Sequence, residues 1–325
     1  MDNKTIYRKT LGFSLRRLFW DFFSIVLVLG ISTLGFFIAE KVWSKGLIGL
    51  AIGAVVGLII ALIVLRFVSY KLKAGQIAMM TRGITEGELP DDVIGEGKRV
   101  VKERFLTVAA YFAVTGAIKG IFRQIGRGIT RLGESIGGDT GGAIGGAING
   151  AIQTVISYLS DCCLGWVFYR KDVKAGKATC EGAVLFFKHG KTFIKNMGRV
   201  ALWGIGSLVI IGGVFGGAIY LILSSMSGLL EGFYNEVAEL FAKSSDAGNS
   251  LVKILQDPNA VPIVFAVIGG LLIWGFIHSV FIRPYVLVGV LRNYIESGKD
   301  EVPSEESFGA LDSKSKKFKK LHDSL

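Results

Sequence analysis

The chain has 325 residues, of which 51% are strongly apolar and 19% are charged, and its formal net charge is +11. Ordinary soluble domains are about 25% charged and disordered chains are poor in apolar residues, so the composition argues against both classes. We therefore expect lipid to surround much of the chain, and only the positions of the Lys and Arg residues can explain the positive charge.

Four runs without Asp, Glu, Lys or Arg are long enough to cross a membrane as helices. A hydrocarbon core of about 30 Å needs about 20 helical residues, and the runs are residues 22–39, 46–65, 200–230 and 258–282. The short link at residues 40–45 predicts that the first two runs form a helical hairpin. Pro284 predicts a kink or a stop just after the fourth run.

The basic residues border these runs and predict the orientation of the chain. They collect before residue 22, between residues 66 and 104, from 170 to 199, and in the C-terminal tail. Segments rich in Lys and Arg stay on the cytoplasmic side. The loop at residues 231–257 is acidic and is therefore expected outside. Both termini are predicted to be cytoplasmic, and the sequence does not indicate which membrane is involved.

A basic helix face is predicted at the start of the central region. Lys119, Arg123, Arg127 and Arg131 recur every four residues, while isoleucines and other apolar residues follow at spacings of three and four. This pattern is amphipathic. One interpretation is a helix in the membrane interface that binds anionic phospholipids; the other is a solvated basic face above ordinary protein packing.

Two interleaved ladders of glycine follow this helix. They consist of Gly133, Gly137, Gly141 and Gly145, and of Gly138, Gly142, Gly146 and Gly150. Such a glycine zipper predicts tight helix packing in lipid, within one chain in preference to a homo-oligomer. The alternative is a flexible loop at residues 137–142, because glycine is a poor helix former.

The central region must cross the membrane an even number of times, because cytoplasmic segments flank it on both sides. Either residues 105–122 and 145–168 are two spans, or the region is a re-entrant hairpin. Two spans would place Arg123, Arg127 and Arg131 outside, against the positive-inside tendency. We nevertheless favour two spans.

The sequence thus predicts an all-α, polytopic integral membrane protein with about six transmembrane helices and interfacial amphipathic helices. Its predicted segments are an N-terminal hairpin with a cytoplasmic part (1–104), the glycine-zipper region (105–169), a second helical pair with a basic lead-in helix and an acidic outer loop (170–306), and a basic cytoplasmic tail (307–325).

Three residues are candidates for a solute pathway or a buried charge. Asp161 is the one acidic residue between Thr140 and Tyr169. An ionisable group at membrane depth is costly and suggests either a function or a basic partner. Arg170 is nine residues away, so Asp161 is also close enough to the surface to be hydrated or paired. His278 and Arg283, near the inner end of the last run, are expected to anchor the interface more than to line a pathway.

Signatures of enzymes, metal sites and nucleic-acid binding are absent or out of context. The three histidines are far apart, and Cys162, Cys163 and Cys180 have no metal-ligand spacing. Residues 133–137 match G-x-S-x-G, but a basic helix and not a strand precedes them. No catalytic activity, cofactor or metal is predicted, and the basic residues do not form the compact domain that nucleic acid requires.

The C-terminal half, about residues 155–306, resembles the choline transporter-like family. The residues of this resemblance are Cys180, Phe186, Phe187, Asn196–Val200, Val261, Pro262, His278–Phe281 and Glu301–Glu306. The resemblance implies a polytopic membrane protein that handles choline or a related organic cation. The chain departs from that family in having fewer spans and no large extracellular N-terminal loop, and no substrate residue can be carried over.

Two function classes follow. Transport or permeation of a small solute is favoured by Asp161, by the glycine ladders and by a similar order of basic segment, paired spans and Pro-containing end at residues 13–90 and 186–303. The alternative is a non-catalytic membrane organiser that binds anionic lipid or partner proteins.

Overall fold

The computed structural model describes the backbone of residues 1–106, 108–137, 142–226, 257, 260–301 and 303–325. Within these ranges, side chains are not described at residues 66–67, 108, 125–153, 155 and 190–201. Every regular element in the described residues is helical, as predicted. The α-helices are α1 (Asn3–Trp43), α2 (Gly46–Thr85), α3 (Val93–Arg104), α4 (Val108–Gly137), α5 (Gly142–Tyr169), α6 (Ala175–Ser207), α7 (Gly213–Ser225), α8 (Ala260–Ile277), α9 (Arg283–Gly298), α10 (Glu305–Asp312) and α11 (Lys316–His322).

Four helical segments are long and apolar enough to cross a membrane. They are Asn3–Trp43, Gly46–Thr85, Leu202–Ser225 and Ala260–Gly298, and each overlaps one of the predicted runs. A fifth candidate consists of α3 and the first part of α4, which meet at a bend of 84°. Four predicted spans are thus confirmed by length and hydropathy, whereas the total of six stays a prediction.

The chain divides into two compact units. One consists of Met1–Gly198 with Arg283–Leu325, and the other of Arg199–Ile282. These boundaries cut across the segment predicted for residues 170–306, because α6 is divided between the two units and α9 belongs to the first unit.

The first two helices form the predicted hairpin in unit Met1–Gly198. α1 ends where Ser44 adopts a left-handed conformation with φ 50°, and the Glu40 carboxylate accepts a hydrogen bond of 2.7 Å from the backbone N–H of Gly46. This bond replaces an intrahelical partner that the first turn of α2 lacks. The link between the helices is therefore only two residues long.

Glycines allow the backbones of α1 and α2 to approach closely. A Cβ atom added at Gly53 would lie 2.6 Å from the Ile31 carbonyl oxygen, and one at Gly35 would overlap the Gly49 carbonyl. Gly49, Gly53 and Gly57 follow one another at intervals of four, a small-residue stripe typical of membrane helix pairs. From the sequence, close glycine packing was predicted only for the central ladders and not for this stripe.

Both helices of the hairpin are longer than a bilayer requires. α1 has 41 residues and α2 has 40, or about 60 Å each at 1.5 Å per residue. Large apolar side chains between Phe19 and Ile63 are widely exposed, as lipid-facing residues are, whereas Ile6, Phe13 and Ile77 are buried. The N-terminal part of α1 and the C-terminal part of α2 therefore belong to a helical body beyond the apolar zone.

The unit Arg199–Ile282 also contains a close glycine crossing. A Cβ atom added at Gly270 of α8 would lie 2.6 Å from the Gly212 carbonyl oxygen. The Trp274 indole donates a hydrogen bond of 3.0 Å to the Ser207 hydroxyl, which ties the same two helical stretches together.

The fourth long helical segment continues through Pro284 to Gly298, so the prediction of a stop at this proline is wrong. A π-helical turn, His278–Ile282, precedes α9, and Pro284 is the second residue of that helix. A proline in a regular helix clashes with the carbonyl four residues earlier, here that of Val280. The wider π-turn contains this carbonyl and accommodates the ring.

The basic C-terminal tail is folded onto the first unit. Phe318 is fully buried and packs with Phe308 and Leu311 against Ile121 of α4 and Val184 of α6. The Ser315 hydroxyl also donates a hydrogen bond of 3.1 Å to the Gln124 side chain. The predicted tail, residues 307–325, is thus a pair of short helices with a buried apolar side.

Candidate functional site: a shared carboxylate beside a cavity

Asp161 is the centre of a charged cluster in the first unit. Its Oδ1 atom lies 2.6 Å from Lys73 Nζ, and its Oδ2 atom lies 2.5 Å from Arg283 Nη2. The Asp161 side chain is only 5% exposed, against 29% for Lys73 and 24% for Arg283. One buried carboxylate therefore holds two partly exposed cations.

Three helices position this cluster. Lys73 comes from α2, Asp161 from α5, and Arg283 is the first residue of α9. Ser157 and Asp161 are four residues apart and so share one face of α5, and Arg283 Nη2 donates to both, at 2.6 Å to the Ser157 hydroxyl. The Arg283 guanidinium carbon also lies 5.3 Å from the centre of the Tyr158 ring, a cation–π distance.

A cavity of about 480 Å³ lies between α2, α4 and α5, with Lys73 and Asp161 in its wall. Three aromatic side chains also line it: Tyr70 and Tyr111 have ring centres 4.9 Å apart, and Tyr70 and Phe112 5.5 Å apart. Lys119 is a second lysine of the wall. The cavity thus combines ammonium groups, one carboxylate and aromatic surface, the kind of mixture found in small-molecule sites.

The predicted basic face of α4 is partly described. Lys119 and Arg123 are exposed, whereas Ile118, Ile121 and Phe122 are buried within the protein. In this part of α4 the apolar side packs on protein, in line with the second of the two interpretations. The side chains of Arg127 and Arg131 lie outside the described residues.

The glycine ladders are placed only as backbone. Gly133 and Gly137 are in α4, and the glycines at positions 142, 145, 146 and 150 are in α5. Gly138 and Gly141 lie outside the described residues. The close glycine contacts that the structure describes include those of α1 with α2, of Gly75 in α2 with Gly97 in α3, and of α8 with Gly212 and Gly216. The glycine zipper of the centre stays a prediction.

The two other pathway candidates have different surroundings. Arg283 is a direct partner of Asp161, a pairing that the sequence did not suggest. His278 belongs to unit Arg199–Ile282, where its ring lies against Trp274 with centres 5.2 Å apart. Arg170, whose position indicated the depth of Asp161, pairs with Asp172 at 2.8 Å and with Glu181 at 2.9 Å.

A second buried carboxylate, Glu181, stabilises the junction of α5 and α6. Burial raises the pKa of Glu181, while the nearby Arg170 guanidinium opposes this rise. The Trp166 indole donates to Glu181 at 3.4 Å. Glu181 does not line the cavity beside Asp161, so we assign it a structural role.

No group of three or more His, Cys, Asp or Glu side chains among the described residues is arranged to hold a metal ion. Cys162, Cys163 and Cys180 are free and buried. Burial raises the pKa of the Cys180 thiol to about 12, so this thiol is a poor nucleophile at neutral pH.

No family model, curated protein or solved structure matches the chain. The geometry of the cluster and cavity is therefore the basis for a functional assignment.

Proposed function

We propose that this chain is a polytopic integral membrane protein that binds a small solute in the cavity beside Asp161 and transports it across the membrane. The supporting observation is the buried Asp161 carboxylate, shared by Lys73 and Arg283 in the wall of a cavity of about 480 Å³. A cavity that combines apolar walls with a few convergent charged groups is typical of a small-molecule site. Choline is the solute that the resemblance of residues 155–306 implies.

The proposed topology has both termini in the cytoplasm and six crossings. Arg104 donates hydrogen bonds to the carbonyl oxygens of Arg170, at 2.9 Å, and Val173, at 2.8 Å. The two ends of the central region, residues 105–169, therefore meet. A segment whose ends meet at one level crosses an even number of times, which supports two crossings or a re-entrant hairpin over a single span.

The cavity is proposed to lie near the cytoplasmic membrane surface. The apolar run of α2 ends at Leu65, and Lys73 follows eight residues later, or about 12 Å further along the helix. A solute would then reach the cavity from the cytoplasmic side, and Asp161 would not lie at the middle of the bilayer.

A flux assay with a cavity-filling variant tests transport. Gly116 lines the cavity, and an added Cβ there meets no atom within 4 Å. In liposomes, Gly116→Leu should lower solute flux at least about tenfold, because the larger side chain occupies the cavity. Gly30 of α1 is equally open, so Gly30→Leu is the matched control and should transport normally.

The assay needs a panel of solutes: choline, amino acids, phosphate and alkali cations. Absence of flux for the whole panel would contradict transport. Equal flux in the Gly116→Leu and Gly30→Leu variants would contradict the assignment of the cavity.

The alternative function is a membrane organiser that binds anionic phospholipids or assembles partner proteins. The observation that favours it is the exposure of the Lys119 and Arg123 side chains on α4. Replacing Lys119, Arg123, Arg127 and Arg131 by Glu should abolish binding to vesicles that contain phosphatidylglycerol. The control replaces Lys98 and Lys102, two exposed lysines of α3, and unchanged binding in the α4 variant would remove the main support for this function.

A further inference from the structure

We propose that the cavity between α2, α4 and α5 binds an oxyanion, a phosphate or carboxylate group carried by a small solute or by a lipid headgroup. The inference rests on the site of the proposed function and names the class of its ligand. The organic cation that the family resemblance implies does not fit the charges described below.

The charge around the cavity is positive. Lys73 and Lys119 line the cavity together with Asp161. Arg283 is not a lining residue but pairs with Asp161, so three cations accompany this one carboxylate. Both oxygens of Asp161 are already engaged, Oδ1 by Lys73 and Oδ2 by Arg283. An incoming cation would find no free carboxylate there and would be repelled by the ammonium groups, whereas an anion would neutralise the surplus.

The aromatic wall is also unsuited to a quaternary ammonium ion. Such ligands need the open face of an aromatic ring, but Lys71 Nζ already lies 5.8 Å from the centre of the Tyr70 ring. Tyr111 packs against both Tyr70 and Phe112. The rings therefore pack on one another and beside a lysine.

The remaining groups suit a ligand with an anionic head and an apolar part. Among the residues that the structure describes, the Tyr70 and Tyr111 hydroxyls have no hydrogen-bond partner, and a phenol O–H is a good donor to an oxyanion. Ile118 and Leu164 add apolar surface to the wall. Lysine ammonium groups bind phosphate as point charges, without the fixed geometry that arginine imposes.

Replacement of Lys119 tests whether the cavity binds an oxyanion. Lys119 is exposed, it lines the cavity, and it is outside the Asp161 cluster, so its replacement leaves the cluster intact. Lys98 of α3 is an equally exposed lysine that does not line the cavity. The variants Lys119→Gln and Lys98→Gln therefore make the same chemical change at and away from the proposed site.

The experiment is isothermal titration of the full-length protein in neutral detergent with glycerol 3-phosphate, inorganic phosphate and choline chloride at constant ionic strength. We expect saturable binding of a phosphate probe, weakened at least about tenfold by Lys119→Gln, because the variant loses one charge-assisted contact to the oxyanion. Lys98→Gln should bind as the original chain does, and choline should not bind.

A second arm separates a lipid headgroup from a soluble anion. Native mass spectrometry compares retention of phosphatidylglycerol and phosphatidylcholine by the original chain and the two variants. Retention of phosphatidylglycerol that depends on Lys119, without binding of the soluble probes, assigns the oxyanion to a lipid and supports the inference. Binding of choline, binding that is unchanged in Lys119→Gln, or no binding in either arm overturns it.

The flux assay and the binding experiment can contradict the two proposals separately. Phosphate binding that depends on Lys119, in a protein without flux, upholds the oxyanion site and rejects transport. Choline flux blocked by Gly116→Leu, without anion binding, upholds transport and rejects the oxyanion.

Discussion

The Asp161 carboxylate forms ion pairs with both Lys73 and Arg283. The three residues therefore differ in how much the cluster loses when one of them is replaced. Removal of Lys73 leaves the ion pair between Asp161 and Arg283, which also has the Ser157 hydroxyl and the Tyr158 ring. Removal of the Asp161 charge leaves two neighbouring cations with no counter-charge in the cluster. The second change is the more costly, since an uncompensated buried charge is strongly destabilising.

We therefore expect Asp161→Asn to lower the free energy of unfolding by about 3–5 kcal/mol and Lys73→Met by about 1–2 kcal/mol. Thermal unfolding of the detergent-purified protein measures both. Asp172→Asn is the control, because Asp172 is exposed and its ion pair with Arg170 lies at the surface, where such pairs contribute less than about 1 kcal/mol. Equal losses for Asp161→Asn and Lys73→Met would show that the carboxylate is not shared as described.

The three cysteines should resist thiol reagents in the folded protein. All three are buried, and with a pKa of about 12 the Cys180 thiol is roughly 0.01% thiolate at pH 8. A maleimide should label none of them in mild detergent and all of them in dodecyl sulfate, as counted by mass spectrometry. Ser324→Cys, at an exposed position near the C-terminus, should label at once, and rapid labelling of Cys180 in the folded chain would contradict its burial.

The residue scale is also where sequence reasoning about the site was incomplete. Asp161 was identified because it is an isolated acid in an apolar stretch, a property that is visible locally. Its partners were not identified, because both are distant from Asp161 in the sequence. Lys73 lies in α2, three helices earlier, and Arg283 lies in α9, four helices later. Which cation reaches a buried carboxylate depends on how the helices pack, and helix packing has no short-range signature in the sequence.

At the scale of elements, the α1–α2 hairpin depends on glycine at the helix contact. A Cβ at Gly53 meets the Ile31 backbone carbonyl oxygen at 2.6 Å, and a backbone atom cannot move aside as a side chain can. A Cβ at Gly30, on the same hairpin, meets nothing within 4 Å. These two glycines therefore differ in packing although both lie inside long apolar helices.

Gly53→Ala should lower the free energy of unfolding by about 1–3 kcal/mol through overpacking. Gly30→Ala should be neutral or stabilising by up to about 1 kcal/mol, because alanine is the better helix former. Thermal unfolding of the two variants in the same detergent gives the comparison. A similar effect of the two substitutions would mean that α1 and α2 do not approach as closely as described.

The sequence predicted the apolar parts of the long helices correctly, because composition identifies them. It predicted the ends of these helices less well. Charge-free runs such as residues 46–65 identify apolar helix, but α2 continues to Thr85 through several basic residues. The continuation follows from burial of residues such as Ile77 and Met79 against other helices, which a search for charge-free runs overlooks. The stop predicted at Pro284 was wrong for a related reason, since a π-turn can accommodate a proline that a regular helix cannot.

At the scale of the whole molecule, hydrogen bonds in the first unit link segments that are far apart in sequence. Arg292 of α9 donates to the Met1 carbonyl oxygen and to the Asn3 side chain, each at 2.6 Å. Arg104 links the two ends of the central region, and Ser315 links the C-terminal helices to α4. Both chain termini therefore belong to one helical body, which supports the proposal that they lie on the same side of the membrane.

The positive-inside tendency assigns that body to the cytoplasm. Green fluorescent protein fused to either terminus should therefore fluoresce in a bacterial host, and alkaline phosphatase inserted in the acidic loop, residues 231–256, should be active outside. A dark C-terminal fusion together with an inactive insertion would invert the orientation that we propose.

The same approach decides between six crossings and a re-entrant centre. If residues 105–169 cross twice, alkaline phosphatase inserted at residues 138–141 should be active, and Thr140→Cys should react with a membrane-impermeant maleimide added to intact cells. The buried native cysteines make a cysteine-free background unnecessary, and Ser324→Cys, on the cytoplasmic side, should react only after lysis. An inactive insertion and an unlabelled Thr140→Cys would instead establish the re-entrant hairpin, which keeps Arg123, Arg127 and Arg131 on the side that the positive-inside tendency favours.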